Sequence, residues 1–319
     1  MKVLRKNLFP RTVALLLLVA AAAAVNAYAQ QTVRVPRPSQ KASVTQTIGV
    51  TDVTITYSRP GVKGRRIWGD AVAAQAAGST ATLDDARSRP KDAPIVPFDH
   101  VWRTGANEAT LFTVTDDVMI NGQKLPAGKY SLHTIPGKTE WTIIFNRDDG
   151  QWGSFQYDEK KDALRVKARP SEAPMQEWLR FEIDPVSPDS AQVSLRWERI
   201  IVPFTVTVPD VNALTLQKAR ASVAAAAADD WRTPLQAANF VFVNNITASM
   251  PEAMNWLEQS IKVKETFGNM YTKARVLGDT GKTAEAIVAG ERALQLGKEA
   301  KADTSDLEKR LATWRAKKM

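Results

Sequence analysis

Two short runs concentrate the side chains able to do chemistry. They are Tyr57–Ser58–Arg59–Pro60–Gly61–Val62–Lys63–Gly64–Arg65 and, some forty residues later, Val101–Trp102–Arg103–Thr104–Gly105–Ala106–Asn107–Glu108–Ala109–Thr110. Each sits between strand-like segments, where a β domain ordinarily keeps only a short turn, and loops on a rigid scaffold are where sites collect. The planar fork of arginine suits carboxylate or phosphate, and Gly61, Gly64 and Gly105 would let a ligand approach the backbone. Arg59, Lys63, Arg65, Arg103, Asn107 and Glu108 are therefore the candidate set for holding a small anionic or glycan ligand. The same residues would serve equally as an internal network, with Arg59 or Arg103 held by Glu108 and Asn107 bonded to the loop backbone, which stiffens a loop without binding anything.

For catalysis, Glu108 and His133 are the candidates, as a hydrolase pair beside Arg59 and Arg103. His100 and His133 are the only histidines, so one chain offers no three-histidine zinc site, and there is no H-E-x-x-H. No metal or cofactor is assigned. Neither a G-x-S-x-G elbow nor a glycine-rich phosphate loop is present. Asn146-x-Asp148–Asp149–Gly150 hints at a calcium loop, yet its glycine falls at position 5 and position 12 is Tyr157, so a hairpin turn is the better reading. Glu108, Asp158 and Glu159 could pair for glycoside hydrolysis only at a defined separation that spacing does not supply. Among the six tryptophans between residues 41 and 208, Trp141 and Trp197 lie in apolar strand contexts, whereas Trp68 and Trp152, each beside a glycine, are candidates for exposure.

The chain begins like an exported protein. Lys2, Arg5, Lys6 and Arg11 precede an apolar run from Val13 to Val25 and the small-x-small pattern Ala27–Tyr28–Ala29, the layout of a signal peptide over 1–29. With no cysteine, lipidation at a cleavage-site Cys and disulfides are both excluded. The expectation is a periplasmic or secreted protein, not a lipoprotein, with no membrane span after cleavage. Removing four basic residues with that leader lowers the formal net charge from +9 to +5, too diffuse to argue for nucleic acid.

The elements that would position these loops read from periodicity. After a linker over 30–40, Val53, Ile55 and Tyr57 alternate with Thr54 and Thr56, the pattern of a strand with one buried face. Further strand-like runs follow at Thr110–Val114, Val118–Ile120, Tyr130–Ile135, Trp141–Phe145, Leu164–Ala168, Trp178–Ile183, Ala191–Trp197 and Ile200–Val208, and Asn121–Gly122 predicts a hairpin. These make an antiparallel β-sandwich-like domain over 41–208, with the Ala71–Pro94 stretch read as an inserted loop or short helix.

From 209 to 319 helical spacing takes over. Thr233–Pro234 reads as an N-cap with proline at N1, and Ser305-x-x-Glu308 as a capping box. A shift of 33 residues superposes Glu252, Ala253, Met254, Glu258, Ser260, Ile261 and Val263 on Glu285, Ala286, Ile287, Glu291, Ala293, Leu294 and Leu296. Small residues fall where helices touch and large apolar ones where they fill. This predicts α-helical hairpins that resemble tetratricopeptide repeats. The fold class is thus α+β in a two-domain chain.

The stretch from Ser43 to about Val208 resembles the bacterial domain of unknown function 2911 family. The resemblance rests on the two runs above together with Leu125–Pro126–Ala127–Gly128–Lys129–Tyr130–Ser131–Leu132, Ile135–Pro136–Gly137, Trp141–Thr142–Ile143–Ile144–Phe145–Asn146, Gln151–Trp152–Gly153 and Leu164–Arg165–Val166. It covers roughly half the chain in order and implies export and a helical tail but no activity; the Ala71–Pro94 segment is longer than the family leads one to expect. The reading is a non-enzymatic ligand-binding or protein-interaction module of the envelope, its tail docking a protein partner. A hydrolase using Glu108 and His133, and a purely structural role, are the alternatives.

Overall fold

The computed structural model describes residues 35–72 and 90–318, with the side chains of the last two of these left out. The leader over 1–29 and most of the Ala71–Pro94 segment lie outside the described residues.

Among the described residues, twelve strands are followed by six α-helices. β1 (Gln40–Ile48), β2 (Thr51–Arg59), β5 (Thr110–Val114), β8 (Gly128–Ile135), β9 (Trp141–Asn146) and β10 (Asp162–Ala168) form one six-stranded sheet in the order β1-β2-β5-β8-β9-β10. β11 (Ser171–Ser187), β12 (Ser190–Thr207), β6 (Val118–Ile120) and β7 (Gln123–Leu125) form a four-stranded sheet in that order. All pairings within these two sheets are antiparallel. A two-residue parallel pair, β3 (Trp68–Gly69) with β4 (Val96–Pro97), lies between β2 and β5 in the chain.

Alternation places the core. Val53, Ile55 and Tyr57 are buried as their spacing predicts, and they join Phe112, Leu132, Trp141, Ile143 and Phe145 of the same sheet against Leu179, Phe181, Leu195, Trp197 and Phe204 of the other. Asn121 and Gly122 have φ of 46° and 79°, the positive pair that a type I′ hairpin needs. The runs at 191–197 and 200–208 fuse into the single strand β12, with Glu198 at φ 56° marking the irregularity between them. β1 was not evident from spacing because most of its residues are exposed or half-buried.

Trp68 departs from the expectation of exposure. It is half-buried in a cluster with Trp102, Trp141 and Trp197, its ring centroid 5.7, 5.1 and 5.5 Å from theirs and edge-on to each. The indole N–H groups of Trp68, Trp141 and Trp197 are buried with no hydrogen-bond partner among the described residues, and edge-to-face rings offer π faces as weak acceptors.

Two seams close the sandwich. On one side β2 runs into β11: Leu179 N donates to Pro60 O at 3.0 Å and Val62 N to Glu177 O at 2.9 Å. On the other side Asn121 Nδ2 donates to Lys167 O at 2.9 Å, tying the β6–β7 hairpin to β10.

The helices are α1 (Val211–Ala224), α2 (Arg232–Val243), α3 (Met250–Val263), α4 (Phe267–Asp279), α5 (Thr283–Glu299) and α6 (Ser305–Lys318). α2 packs on α3, α4 on α5, and α6 on α5. The 33-residue correspondence reappears in burial: Ala253 and Ala286 are buried, as are Trp256 and Ala289, Leu257 and Gly290, Ser260 and Ala293. Both expected caps shift by a few residues. Asp230, not Thr233, accepts from the first backbone N–H groups of α2, and Asp303 does the same for Ser305. A carboxylate upstream reaches the orphan donors, leaving Thr233 and Ser305 inside the helices. α1 docks on the β region through Val211 and Leu214, which pack on its core, and through Lys218 Nζ, which donates to Val50 O at 3.0 Å and Asp116 Oδ2 at 2.7 Å.

Candidate functional site

If Val53, Ile55 and Tyr57 point inward, then Thr54, Thr56 and Ser58 point to the outer face of the six-stranded sheet. One row of that face crosses every strand: Ser43, Thr56, Leu111, Ser131, Asn146 and Asp162 are successive cross-strand partners. An outer face normally meets water, yet Ser131, His133, Ile144 and Asn146 are fully buried. The segment 147–161 folds back over them. Asn146 anchors it, its Nδ2 donating to Asp158 O at 2.9 Å and Asp162 Oδ1 at 2.7 Å while its Oδ1 accepts from Asp148 N at 3.0 Å. This is how the would-be calcium loop is used. Asp148 pairs with Lys161 at 2.7 Å and Asp149 with Lys129 at 3.8 Å, and among the described residues no group of three or more His, Asp or Glu could hold a metal ion.

His133 lies beneath this cover with 0% exposure, its Nδ1 3.1 Å from Ser154 Oγ and its Nε2 3.0 Å from Ser131 Oγ. Each ring nitrogen thus has a hydroxyl within hydrogen-bond reach, and a serine hydroxyl can donate or accept. The Tyr157 ring lies beside it, tilted by 55° with centroids 5.1 Å apart. The Tyr157 pKa is raised by burial and by its hydrogen bond to Asp162, to which its hydroxyl donates at 2.8 Å. Asp158 caps the turn over Glu159–Lys161, and Glu159 faces Arg165 at 3.4 Å.

The rim of the cover makes the opening. Ala109 N donates to Gln151 O at 3.0 Å, Gly153 N donates to Asn107 O at 3.1 Å, and Glu108 and Trp152 form an antiparallel bridge pair between these bonds. Their side chains therefore leave on one side. Glu108 is 42% exposed and takes a 2.6 Å hydrogen bond from Arg37 Nη1, while Asn107 Nδ2 donates to Ser39 O at 3.2 Å. Partial burial pushes the Glu108 pKa up, but the hydrogen bond from Arg37, its own backbone N–H and the charges of Arg37 and Lys41 outweigh it and hold the carboxyl below its usual range.

Here lies a cavity of about 120 Å³ whose lining includes Lys41, Thr56, Ser58, Glu108, Asp149 and Gln151. It shares Lys41 and Glu108 with an open cleft of about 550 Å³ bordered by Val35, Pro36 and Arg37. Gln151 is 4% exposed; its Nε2 donates to Asp148 O at 3.2 Å, which fixes the amide, and its buried Oε1 has no hydrogen-bond partner among the described residues. Trp152 and Phe155 on the same rim are 58% and 52% exposed.

The structure divides the sequence-derived candidates. Asn107 and Glu108 stand at the cleft, and His133 is enclosed below the cover. Arg59, Lys63 and Arg65 go to the β2–β11 seam. Arg59 Nε donates to Leu179 O at 2.9 Å, Arg65 Nε to Val62 O at 3.1 Å and Arg65 Nη2 to Gly61 O. Lys63 N donates to Glu177 Oε1 at 2.9 Å and its Nζ lies 5.5 Å from the Trp178 ring centroid. Arg103 is half-buried in the second loop, its carbonyl accepting from Thr110 N at 3.1 Å. The two loops do touch, since a Cβ on Gly105 would sit 3.1 Å from Ser58 O.

Spacing alone missed Arg37, Lys41, Ser58, Asp149 and Gln151. Ser58 was available from strand alternation, and Gln151 belongs to the Gln151–Trp152–Gly153 run. Arg37 fell in the presumed linker, whose last residues are tied to Asn107 and Glu108.

Compared with known proteins, the chain matches the family model described as Protein of unknown function (DUF2911) over residues 39–206. That range begins just before β1 and ends inside β12. No curated protein and no solved structure matches the chain.

Proposed function

The chain belongs to the DUF2911 family of proteins of unknown function, and from that premise we propose that it is an exported ligand-binding module of the cell envelope. The ligand sits where the Lys41–Ser58–Glu108–Gln151 cavity opens into the cleft beside Arg37, and the helices from 209 onward, packed as tetratricopeptide-like hairpins, dock a protein partner. The observation carrying this reading is the buried, unpartnered Gln151 Oε1 in a residue that lines the cavity. Buried acceptors are almost always satisfied, so one left open beside an ionised carboxylate asks for a donor from outside. The basic leader with its small-x-small site supports export. Among the described residues, no helix is long and apolar enough to cross a membrane.

The test is a thermal-shift screen against neutral sugars, dicarboxylates, phosphates and divalent cations, run in parallel on Glu108→Gln. A ligand at 100 times its Kd stabilises by about 2.7 kcal/mol. A shift reduced in a folded Glu108→Gln protein locates the ligand at this cleft; a shift of equal size in both proteins places it elsewhere. The leader is tested by sequencing the N-terminus of the mature protein, expected at Gln30.

A further inference from the structure

We infer that the ligand of this cleft is a saccharide, with Trp152 as the surface on which a sugar ring stacks and the Glu108 carboxylate, which leaves on the same side, as the acceptor for one of its hydroxyls. This rests on the binding reading above and names its chemistry.

The lining decides the class. Glu108 and Asp149 present carboxylates, Gln151 presents a fixed carbonyl oxygen, and Thr56 and Ser58 present hydroxyls; Lys41 is the one cation among the residues lining the cavity. Arg37, at the cleft, already donates to Glu108. Glu108 and Asp149 are already ion-paired, with Arg37 at 2.6 Å and Lys129 at 3.8 Å, so Lys41 is the remaining cation of the lining and no cluster of cations is gathered for an anion. A ligand rich in hydroxyl groups meets acceptors that need donors, and Lys41 and the serine and threonine hydroxyls answer its oxygens.

The second observation is independent of charge. Trp152 is more than half exposed on the residue next to Gln151 and opposite Glu108. Leaving a tryptophan in water forgoes the burial that ordinarily favours it, while an exposed indole on the same side as the Glu108 carboxylate matches a pyranose, whose C–H face is apolar and whose rim is polar. Gly153, with φ 68°, lets the chain turn so that Phe155 stands exposed beside it. The cavity of about 120 Å³ is near the size that holds a benzene-sized guest, and the adjoining cleft leaves room for neighbouring sugar units.

The experiment is calorimetric titration of the protein with chitotetraose, cellotetraose and maltotetraose, with tricarballylate and inorganic phosphate as anionic probes. It is run on wild type, Trp152→Ala, Trp152→Phe and Glu108→Gln. Trp152 is exposed, so its variants are expected to fold, and circular dichroism verifies that they do. The expected result is binding of at least one tetrasaccharide, weakened about tenfold or more by Trp152→Ala and about threefold by Trp152→Phe. Binding of an anionic probe that depends on Glu108, with no tetrasaccharide bound, leaves the cleft reading standing and overturns the saccharide. A tetrasaccharide bound equally by Trp152→Ala also overturns the inference. No binding of any probe overturns both.

Discussion

The seam at Tyr57–Arg65 and the cleft at Glu108–Trp152 use the same residue types and differ in what those residues face. At the seam a strand leaves one sheet for the other, and its backbone exposes carbonyls that no ladder satisfies. Arg59 answers Leu179 O, and Arg65 answers Gly61 O and Val62 O. Each cation there is absorbed by the fold. At the cleft the backbone is paired, Ala109 with Gln151 and Gly153 with Asn107, the Gln151 and Asn107 amides donate to Asp148 O and Ser39 O, and the Glu108 carboxylate is left for the opening. Glu108 faces outward to Arg37, and Gln151 Oε1 has no hydrogen-bond partner among the described residues. A cluster of charged residues in a loop is thus read correctly only after the main-chain hydrogen bonds have been counted.

The largest effect that would sharpen this contrast comes from the floor of the cleft. Replacing His133 by Leu keeps the volume and leaves the buried Ser131 and Ser154 hydroxyls without the ring. At about 1–3 kcal/mol for each of the two unsatisfied groups, urea unfolding should show a loss of about 2–6 kcal/mol. An unchanged midpoint would mean that the cover does not depend on His133. Next comes Arg59→Ala, which strips the seam of a charged hydrogen bond to Leu179 O. A loss of about 1.5–3 kcal/mol is expected, with any thermal shift caused by ligand preserved. Arg59→Ala that keeps its stability and loses the ligand would reverse the roles assigned to the two regions.

Much of the fold was legible in the sequence and much of the candidate site was not. Val53, Ile55 and Tyr57 announce an inner face by alternation, and Asn121–Gly122 announces a hairpin, because both signals are local. β1 was silent because its outer residues face water and its inner ones are only half-buried. Glu108 and Asn107 could be singled out by type, but their neighbours Arg37, Ser58 and Gln151 come from segments 50 or more residues apart in places, and Arg37 lies 71 residues from Glu108. Trp68 was misjudged for the same reason. Its glycine neighbour suggested a loop, while its burial depends on Trp102, Trp141 and Trp197 from three distant elements. Periodicity reports a residue's own face and says nothing of what folds back over it.

A smaller effect concerns acid. Because the folded Glu108 carboxyl has a lowered pKa, its contribution is fully present above the unfolded value of about 4.3 and is lost as pH falls through the folded pKa. The ion pair with Arg37 is exposed and worth only about 0.2–1 kcal/mol, so the melting temperature should scarcely register Glu108→Gln at pH 7. Ligand affinity should register it at every pH above 5, and wild-type affinity should fall only below about pH 4.5. An affinity that fell instead between pH 5 and 7 would point away from this carboxyl.

The smallest expected effect tests the seam at an exposed residue. Lys63 holds a φ of 50°, a left-handed conformation that costs a side-chain-bearing residue about 1 kcal/mol relative to glycine. Its ammonium lies 5.5 Å from the Trp178 ring centroid, an exposed cation–π contact worth about 0.5–1 kcal/mol. Lys63→Ala forfeits the contact and keeps the strain, so a loss of about 0.5–1 kcal/mol is expected. Lys63→Gly forfeits the contact and releases the strain, and the two nearly cancel. An alanine variant weaker than the glycine variant by about 1 kcal/mol, with neither altering ligand affinity, would mean that Lys63 is retained at the seam for Trp178 against the preference of its own backbone. Equal stability of the two variants would remove the backbone from that account, and a change in affinity would carry the binding surface across from the cleft to the seam.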